Sequence, residues 1–469
     1  MPEPETPKRD KPAEQLEREN QRLRQENQRL KEENERLRKE LEEALRAAKR
    51  QAAPHSRNNP KKQPRRPGRK SGTGYGTQYR RAVPKQVNAG IAASLPVTCP
   101  HCGGGVDHQR TEVQYQEEIM RRTIVRRFDV AIGECCECGR RLQGRHPLQT
   151  SDALGAAKVQ LGPEALTLAA LLNKQMGLSV GHTQQVLELG FGLKASRGGL
   201  SRALGRMARR AAPSYEELRA AVRQSLVVRM DETGWRVGGR LQWLHVAVGD
   251  QVTVYAILAG RGYVQSAWLV GEDYAGFLVH DGWAPYERFG GAFHQSCVAH
   301  LLRRCRDLVE MSSSRAAKFP RAVKGLLQSG LALRDRYGQG AVSQYGLRIG
   351  AGRLEAALDR LLANQYRSRG NQRLAKHLQR QRPWLLTFLH CPGLDATSNA
   401  AERALRRMVI ARKVWGGNRS WKGAQTQQVL VSVLRTIRQQ GKDPFPRMVD
   451  LLRSPAVQIL DIVPEDNSP

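Results

Sequence analysis

The sequence has no run approaching the roughly 18 consecutive apolar residues that a membrane-spanning helix needs. Its Pro- and Glu-rich start carries no apolar stretch of the signal-peptide kind. These absences argue against a membrane protein and lead to the expectation of a cytoplasmic chain. Acidic residues are scarce: 44 Asp+Glu stand against 77 Lys+Arg, for a formal net charge of +33. A surface that basic repels itself and favours a polyanionic partner. With a membrane set aside, nucleic acid is the expected one. The eight cysteines are not spread as a disulfide framework. Four of them fall in two C-x-x-C pairs, which in a reducing compartment point to metal. Acids are missing altogether from Pro54 to Arg81, where Arg57, Lys61, Lys62, Arg65, Arg66, Arg69, Lys70, Arg80 and Arg81 stand among prolines and glycines. Such a segment forms no regular element alone and suits phosphate contacts, with Arg65, Arg66, Arg69 and Lys70 as its DNA-binding core; the bland alternative is a solubilising linker.

What is present divides the 469 residues into parts. Leu16, Leu23, Leu30 and Leu37 recur every seven residues at d, with Asn20, Asn27, Asn34 and Leu41 at the a positions that follow them. Glu19, Glu26 and Glu33 at g would face Arg24, Lys31 and Arg38 at e of a second copy. This is the pattern of a parallel, in-register zipper, weakened by its buried asparagines. A homodimer or higher assembly is therefore expected, and a solvated single helix is the alternative. Further on, Cys99 and Cys102, then Cys135 and Cys138, each precede a glycine that permits a tight turn. Four thiolates make a closed tetrahedral site for structural Zn²⁺ with no open position for catalysis. Cys136 is a spare thiol, and His101 and His146 are alternative ligands. Residues 111–132 alternate polar and apolar, which predicts a β-hairpin joining the two knuckles. Residues 164–212 then read as helices, including a short helix, a turn at Phe191–Lys194 and an Arg-rich helix similar to a helix-turn-helix.

From residue 226 the pattern changes to short apolar strands: Leu226–Met230, Trp243–Val248 and Thr253–Leu258. A helix near Val264–Val270, a strand Phe277–His280 and a run Ala292–Ala299 follow. Three strands, a helix and a strand ending in an acid are the order of a ribonuclease-H-like fold. There the first and fourth strands adjoin at the sheet centre, which would bring Asp231 beside Asp281. A third carboxylate, Glu402, projects from the first turn of a helix beginning near Ser398, where a negative charge is favoured. The same Asn399-x-x-Glu402 spacing also fits a helix capping box. Three such acids suit two Mg²⁺ ions, about 3.5 to 4 Å apart, in phosphodiester transfer. Asp231 would bridge both ions. Arg403, Arg406, Arg407, Arg412 and Lys413 would offer phosphate contacts beside them. Glu232 should point to the opposite side of the strand. Cys297 and His300 are read as core packing rather than ligands.

The motifs DETGW, HDGWAPY and SNAAERALRR resemble the three acidic motifs of transposases of the bacterial insertion sequence 66 family. The likeness extends to the zipper, the two knuckles, CVAHLLRR and ARKVWGGNRSWKGA. Here His280 precedes the second aspartate where the family more often has serine, and Val298 follows Cys297 where it usually has tryptophan. The resemblance implies a DDE-type DNA transposase that cleaves the ends of its element and joins them to target DNA. Its partners would be double-stranded DNA, namely terminal repeats and target, together with small accessory proteins of the same element, in a bacterial cytoplasm at the nucleoid. A catalytically inactive DNA-binding derivative and a junction nuclease with the same core are the alternatives. The expected architecture is multidomain α+β. A coiled coil at 12–50 and a basic linker at 51–95 precede a zinc-ribbon-like module at 96–146 and a helical DNA-binding segment at 150–215. A ribonuclease-H-like α/β core follows at 222–302 and 395–415, split by a helical insertion at 303–394, and 416–460 form a C-terminal helical region.

Overall fold

The computed structural model describes residues 11–49, 83–117, 123–149, 159–456 and 458–462. Arg65, Arg66, Arg69 and Lys70 lie outside the described residues. The chain divides into two units, Arg57–Ile124 and the remainder, each considered by itself. The protein is a mixed α/β chain with many helices around one mixed sheet.

Helix α1 (Lys11–Lys49) is a single long helix. Leu23, Leu30 and Leu37 are each about half exposed along it. In the smaller unit the first knuckle is one tight turn: Gly103 N–H donates to the Cys99 carbonyl and Cys99 N–H to the Gly104 carbonyl, both at 2.8 Å. The other unit repeats it. Gly139 N–H donates to Cys135 O and Cys135 N–H to Arg140 O, both at 2.9 Å. Gly103 and Gly139 have φ of 76° and 66°, which residues with a Cβ rarely adopt. The strands lie elsewhere than the sequence predicts. The described residues between 111 and 131 form none; instead β1 (Ile132–Glu134) and β2 (Arg141–Gln143) pair antiparallel around the second knuckle. Val113, Ile124 and Val125 are exposed, so their alternation buries no face that could hold a ladder.

After α2 (Pro163–Ala170) the helix continues as a wide π turn at Leu171–Gln175; α3 (Val180–Phe191) then ends at Gly192, φ 68°. The next helix, α4 (Arg197–Gln224), is capped by the Ser196 side chain, which accepts from Gly199 N–H. It runs straight through Pro213, past the expected boundary at 215. Leu200, Leu204, Met207, Ala211, Tyr215, Leu218 and Val222 form one buried face along it. The hydrophobic stripe thus prevails over the proline, and α4 is a core helix whose arginines Arg202, Arg206 and Arg209 face solvent.

The sheet contains β3 (Val227–Val237), β4 (Arg240–Val248), β5 (Thr253–Leu258), β6 (Phe277–His280) and β7 (Phe293–Ser296) in the order β5-β4-β3-β6-β7. β3, β4 and β5 are antiparallel neighbours, while β6 and β7 run parallel to β3. Helix α5 (Tyr263–Val270) links β5 to β6. β3 does not stop at Met230 as the sequence predicts. Its pairing with β4 carries it through Asp231 to Val237, whereas its pairing with β6 ends at Arg229.

Helices α6 (Val298–Met311), α7 (Lys318–Gly338), α8 (Gln344–Leu362), α9 (Arg369–Gln381) and α10 (Thr387–His390) share a separate apolar cluster that includes Val279 of β6. α11 (Asn399–Trp415), α12 (Trp421–Gln439) and α13 (Pro444–Arg453) complete the chain. α12 seals the edge strand β5. The N–H groups of Thr253, Tyr255 and Ile257 donate to the side chains of Thr436, Ser432 and Gln428 at 2.9–3.1 Å. Two strand residues rise about 6.7 Å and four helix residues about 6 Å, so the two rows stay in step. An edge that would otherwise recruit another strand is closed.

Candidate active site

Strand register separates the acids by face. Glu232 stands opposite His245 and Asp231 opposite Val246 on β4. Val246 and Leu244 pack with Ala401, Leu405 and Met408 of α11, so Asp231 lies on the α11 face. Glu232 lies on the other face, where its carboxylate accepts from the buried Tyr286 hydroxyl. Asp281 follows β6 directly. One of its carboxylate oxygens accepts the Trp283 N–H at 2.9 Å, and one of Asp231's accepts the Glu232 N–H at 2.8 Å.

The turn at Asp281 is built closely. Gly282 has φ 84°, and a Cβ there would stand 2.8 Å from the His377 ring of α9. Its N–H donates to His280 Nδ1 at 3.0 Å, and its carbonyl accepts from Arg380 at 2.8 Å. His280 Nε2 and His294 Nδ1 lie 3.1 Å apart, and His294 Nε2 meets the Phe289 carbonyl at 2.9 Å. These partners assign protons to both Nε2 atoms. Burial, then His294, pushes His280 down to about 3, which keeps the chain of rings neutral.

Glu402 arrives from α11. Arg303 donates to both its carboxylate oxygens, at 3.1 and 3.2 Å, and His300 Nε2 is 3.3 Å from one of them. The Ser398 side chain makes no cap bond on this helix. Cys297 ties three segments together: its N–H donates to the His280 carbonyl at 2.7 Å, and its sulfur accepts the Ser398 N–H at 3.2 Å. Residues 297–300 thus join the end of β6 to the start of α11. Arg303 and Tyr286 are contacts of the acids that the sequence did not single out, and His300, read there as core packing, is a contact of Glu402. The Cys-x-x-His spacing was visible, but its reach to Glu402 across about a hundred residues was not.

The charges act on one another. Burial, then Glu232 and Asp281, push the Asp231 carboxyl well above the usual range, partly offset by His300. Burial, aided by Asp281, raises Glu232 to about 7 against the Tyr286 bond and Arg261. Glu232 therefore faces away, as the sequence predicts, yet is electrostatically part of the cluster. Burial alone would lower His300. Cys297, Asp231 and Glu402 outweigh it and push the imidazole up to about 9.

Among the described residues no group of three or more His, Cys, Asp or Glu side chains lies close enough to hold a metal ion. The donor chemistry nevertheless fits a hard divalent cation. Asp231, Asp281 and Glu402 offer only oxygens, and the crowding that disfavours Asp231's charge is what a cation relieves. In the knuckles, the backbone N–H groups of His101 and Cys102 lower Cys99, and those of Cys138 and Glu137 lower Cys135. Each knuckle thus favours the thiolate a zinc ion needs.

Of the α11 cations, Arg403, Arg406, Arg407 and Lys413 are exposed. Arg412 is half-buried and donates through one terminal nitrogen to Thr233 Oγ1 and the Gly234 carbonyl, which pins α11 to β3.

A mixed sheet with acids at neighbouring strands and a further acid on a helix packed against it, in a strongly basic chain, suits an enzyme that acts on DNA. Residues 158–426, more than half of the chain, match the family described as Transposase IS66 family, and the chain belongs to that family. No curated relative matches the sequence. No helix among the described residues is long and apolar enough to cross a membrane.

Proposed function

We propose that this transposase cleaves the DNA ends of its insertion sequence and joins them to target DNA as a DDE-type enzyme on a ribonuclease-H-like core. Asp231, Asp281 and Glu402 would hold two Mg²⁺ ions. The observation that carries the reading is the parallel pairing of β3 with β6, beside which the Asp281 charge helps raise the Asp231 carboxyl. The strand order β5-β4-β3-β6-β7 supports the core assignment. When bound, the ions supply activation of the attacking hydroxyl and neutralise charge on the leaving oxygen.

The chain's own residues prepare that chemistry. The Asp281 carboxylate is oriented by the Trp283 N–H, and its turn by His280 and Arg380. His300 and Arg303 hold the Glu402 carboxylate. Arg403, Arg406, Arg407 and Lys413 would contact phosphates near the acids, while Arg65, Arg66, Arg69 and Lys70 would bind the DNA backbone without reading its sequence. Cys99, Cys102, Cys135 and Cys138 would hold one structural Zn²⁺. The exposed leucine seam of α1 would pair with that of a second copy. Accessory proteins of the same element would complete the assembly.

The test is to incubate the full-length chain with duplexes carrying the element's ends and a target plasmid, with Mg²⁺ or with EDTA. Strand cleavage and joined products only with Mg²⁺ are expected. DNA binding with no cleavage under any divalent ion would favour the inactive DNA-binding derivative. Cleavage without joining would favour a nuclease.

A further inference from the structure

Two residues beyond Asp281, Trp283 is 37% exposed although the fold buries Tyr286 and Phe289 close by in sequence. The Arg261 guanidinium lies over its ring, 4.0 Å from the centroid, and also over the Trp243 ring, at 4.6 Å. Trp283 Nε1 donates to the Arg261 carbonyl at 3.2 Å. The loop carrying Arg261 is itself pinned: His245 Nε2 meets the Gly260 carbonyl at 2.8 Å, and Gly262 N–H donates to Gln265 at 3.0 Å. The Trp283 amide bonds the Asp281 carboxylate. The indole is therefore held at a set position relative to an acid of the proposed active site, with a cation stacked on it and part of its surface left to solvent.

We propose that Trp283, backed by Arg261 and Trp243, is a stacking platform for an unpaired nucleobase of the DNA strand being cut. The inference deepens the reading of this site as a DNA-cleaving centre and rests on it. A core tryptophan would be enclosed, and a purely structural cation–π pair would not need the amide tie to Asp281. Every base has a π face, so stacking on indole tolerates sequence, and the arginine adds cationic character where a phosphate chain passes. Where the strand is opened beside the cut, an aromatic surface near the reacting phosphate compensates the stacking that the unpaired base has lost. Trp268 provides the contrast. It is 38% exposed and stacked by Arg219 at 4.2 Å, but it belongs to α5 and makes no bond to the acids.

The test uses the full-length protein without added Mg²⁺ with three probes: a blunt duplex, the same duplex with a short 3′ overhang containing 2-aminopurine, and that overhang made abasic. The parent should prefer the 2-aminopurine overhang over the abasic one by at least about fivefold and quench its fluorescence. Trp283→Phe and Trp268→Leu should keep both effects, and Trp283→Leu should lose both. The blunt duplex reports whether each variant is folded and binds DNA. A Trp283→Leu protein that still separates the two overhangs, or a parent that never does, overturns the platform. The same probes with Mg²⁺ test the underlying reading separately. A parent that stacks the base but cuts nothing keeps the platform and loses the catalytic reading. A parent that cuts without base preference keeps the catalytic reading and loses the platform.

Discussion

Arg303 donates to both carboxylate oxygens of Glu402, at 3.1 and 3.2 Å, although the two residues are 99 positions apart in the chain. The contact occupies the oxygens that a divalent cation would need. Replacing Arg303 with Met should therefore lower the Mg²⁺ concentration giving half-maximal DNA cleavage. A partly exposed pair is worth about 1 kcal/mol, which corresponds to a shift of about fivefold. A Mg²⁺ titration of cleavage rate measures it. A higher Mg²⁺ requirement would mean that Arg303 presents Glu402 to the ion rather than competing for it.

Glu232 makes stability depend on pH. Its carboxyl is raised from 4.5 to about 7 by burial, so between those values the unfolded chain ionises first and stability falls as pH rises. Glu232→Gln removes that loss. Urea unfolding of the region that contains the sheet should show the variant gaining on the parent by on the order of 2 kcal/mol between pH 4.5 and pH 7.5. A difference independent of pH would contradict the assignment. The same variant should move the acid limb of the cleavage profile to lower pH, because Glu232 is one of the charges that raise Asp231.

How far the site could be read beforehand depended on distance along the chain. The two knuckles, the heptads and the strand–acid junctions at Asp231 and Asp281 are local patterns, written within a few residues of each other. Glu232's outward direction followed from the two-residue period of a strand. Its influence on Asp231 did not, because that depends on burial against Tyr286. The engagement of Glu402 by His300 and Arg303 pairs residues about a hundred positions apart, and no periodicity encodes it. The strand expected to end at Met230 runs on because β4 pairs with it to Val237. Among the described residues of 111–131 no strand forms, because the apolar positions Val113, Ile124 and Val125 are left exposed there.

The knuckles should bind one zinc per chain in protein purified without chelator, as metal analysis would determine. Cys102→Ser leaves three thiolates and should lose the metal together with much of the module's folding energy. Parent protein without zinc would contradict the proposed site.

Leu23, Leu30 and Leu37 are too exposed on a lone helix to be there for its own packing. Placing lysine at Leu23 and Leu30 together puts charge at two d positions of the proposed seam. Sedimentation of the full-length chain should show self-association weakened by at least about tenfold, the loss expected from about 1.4 kcal/mol. Unchanged association would assign the dimer to other surfaces.

The central claim is that three carboxylates carry the chemistry. Asp231→Asn, Asp281→Asn and Glu402→Gln each keep side-chain shape and remove one metal-binding charge. The claim concerns stabilisation that exists only at the reacting phosphate, whereas DNA binding draws on lysines and arginines elsewhere. The decisive measurement is strand transfer of element ends by these three variants, with DNA affinity recorded in the same preparations. The account predicts that each abolishes Mg²⁺-dependent cleavage and joining while affinity stays within about threefold of the parent, since backbone contacts dominate binding. Normal strand transfer by Glu402→Gln would contradict it and leave Glu402 as a structural partner of Arg303 and His300.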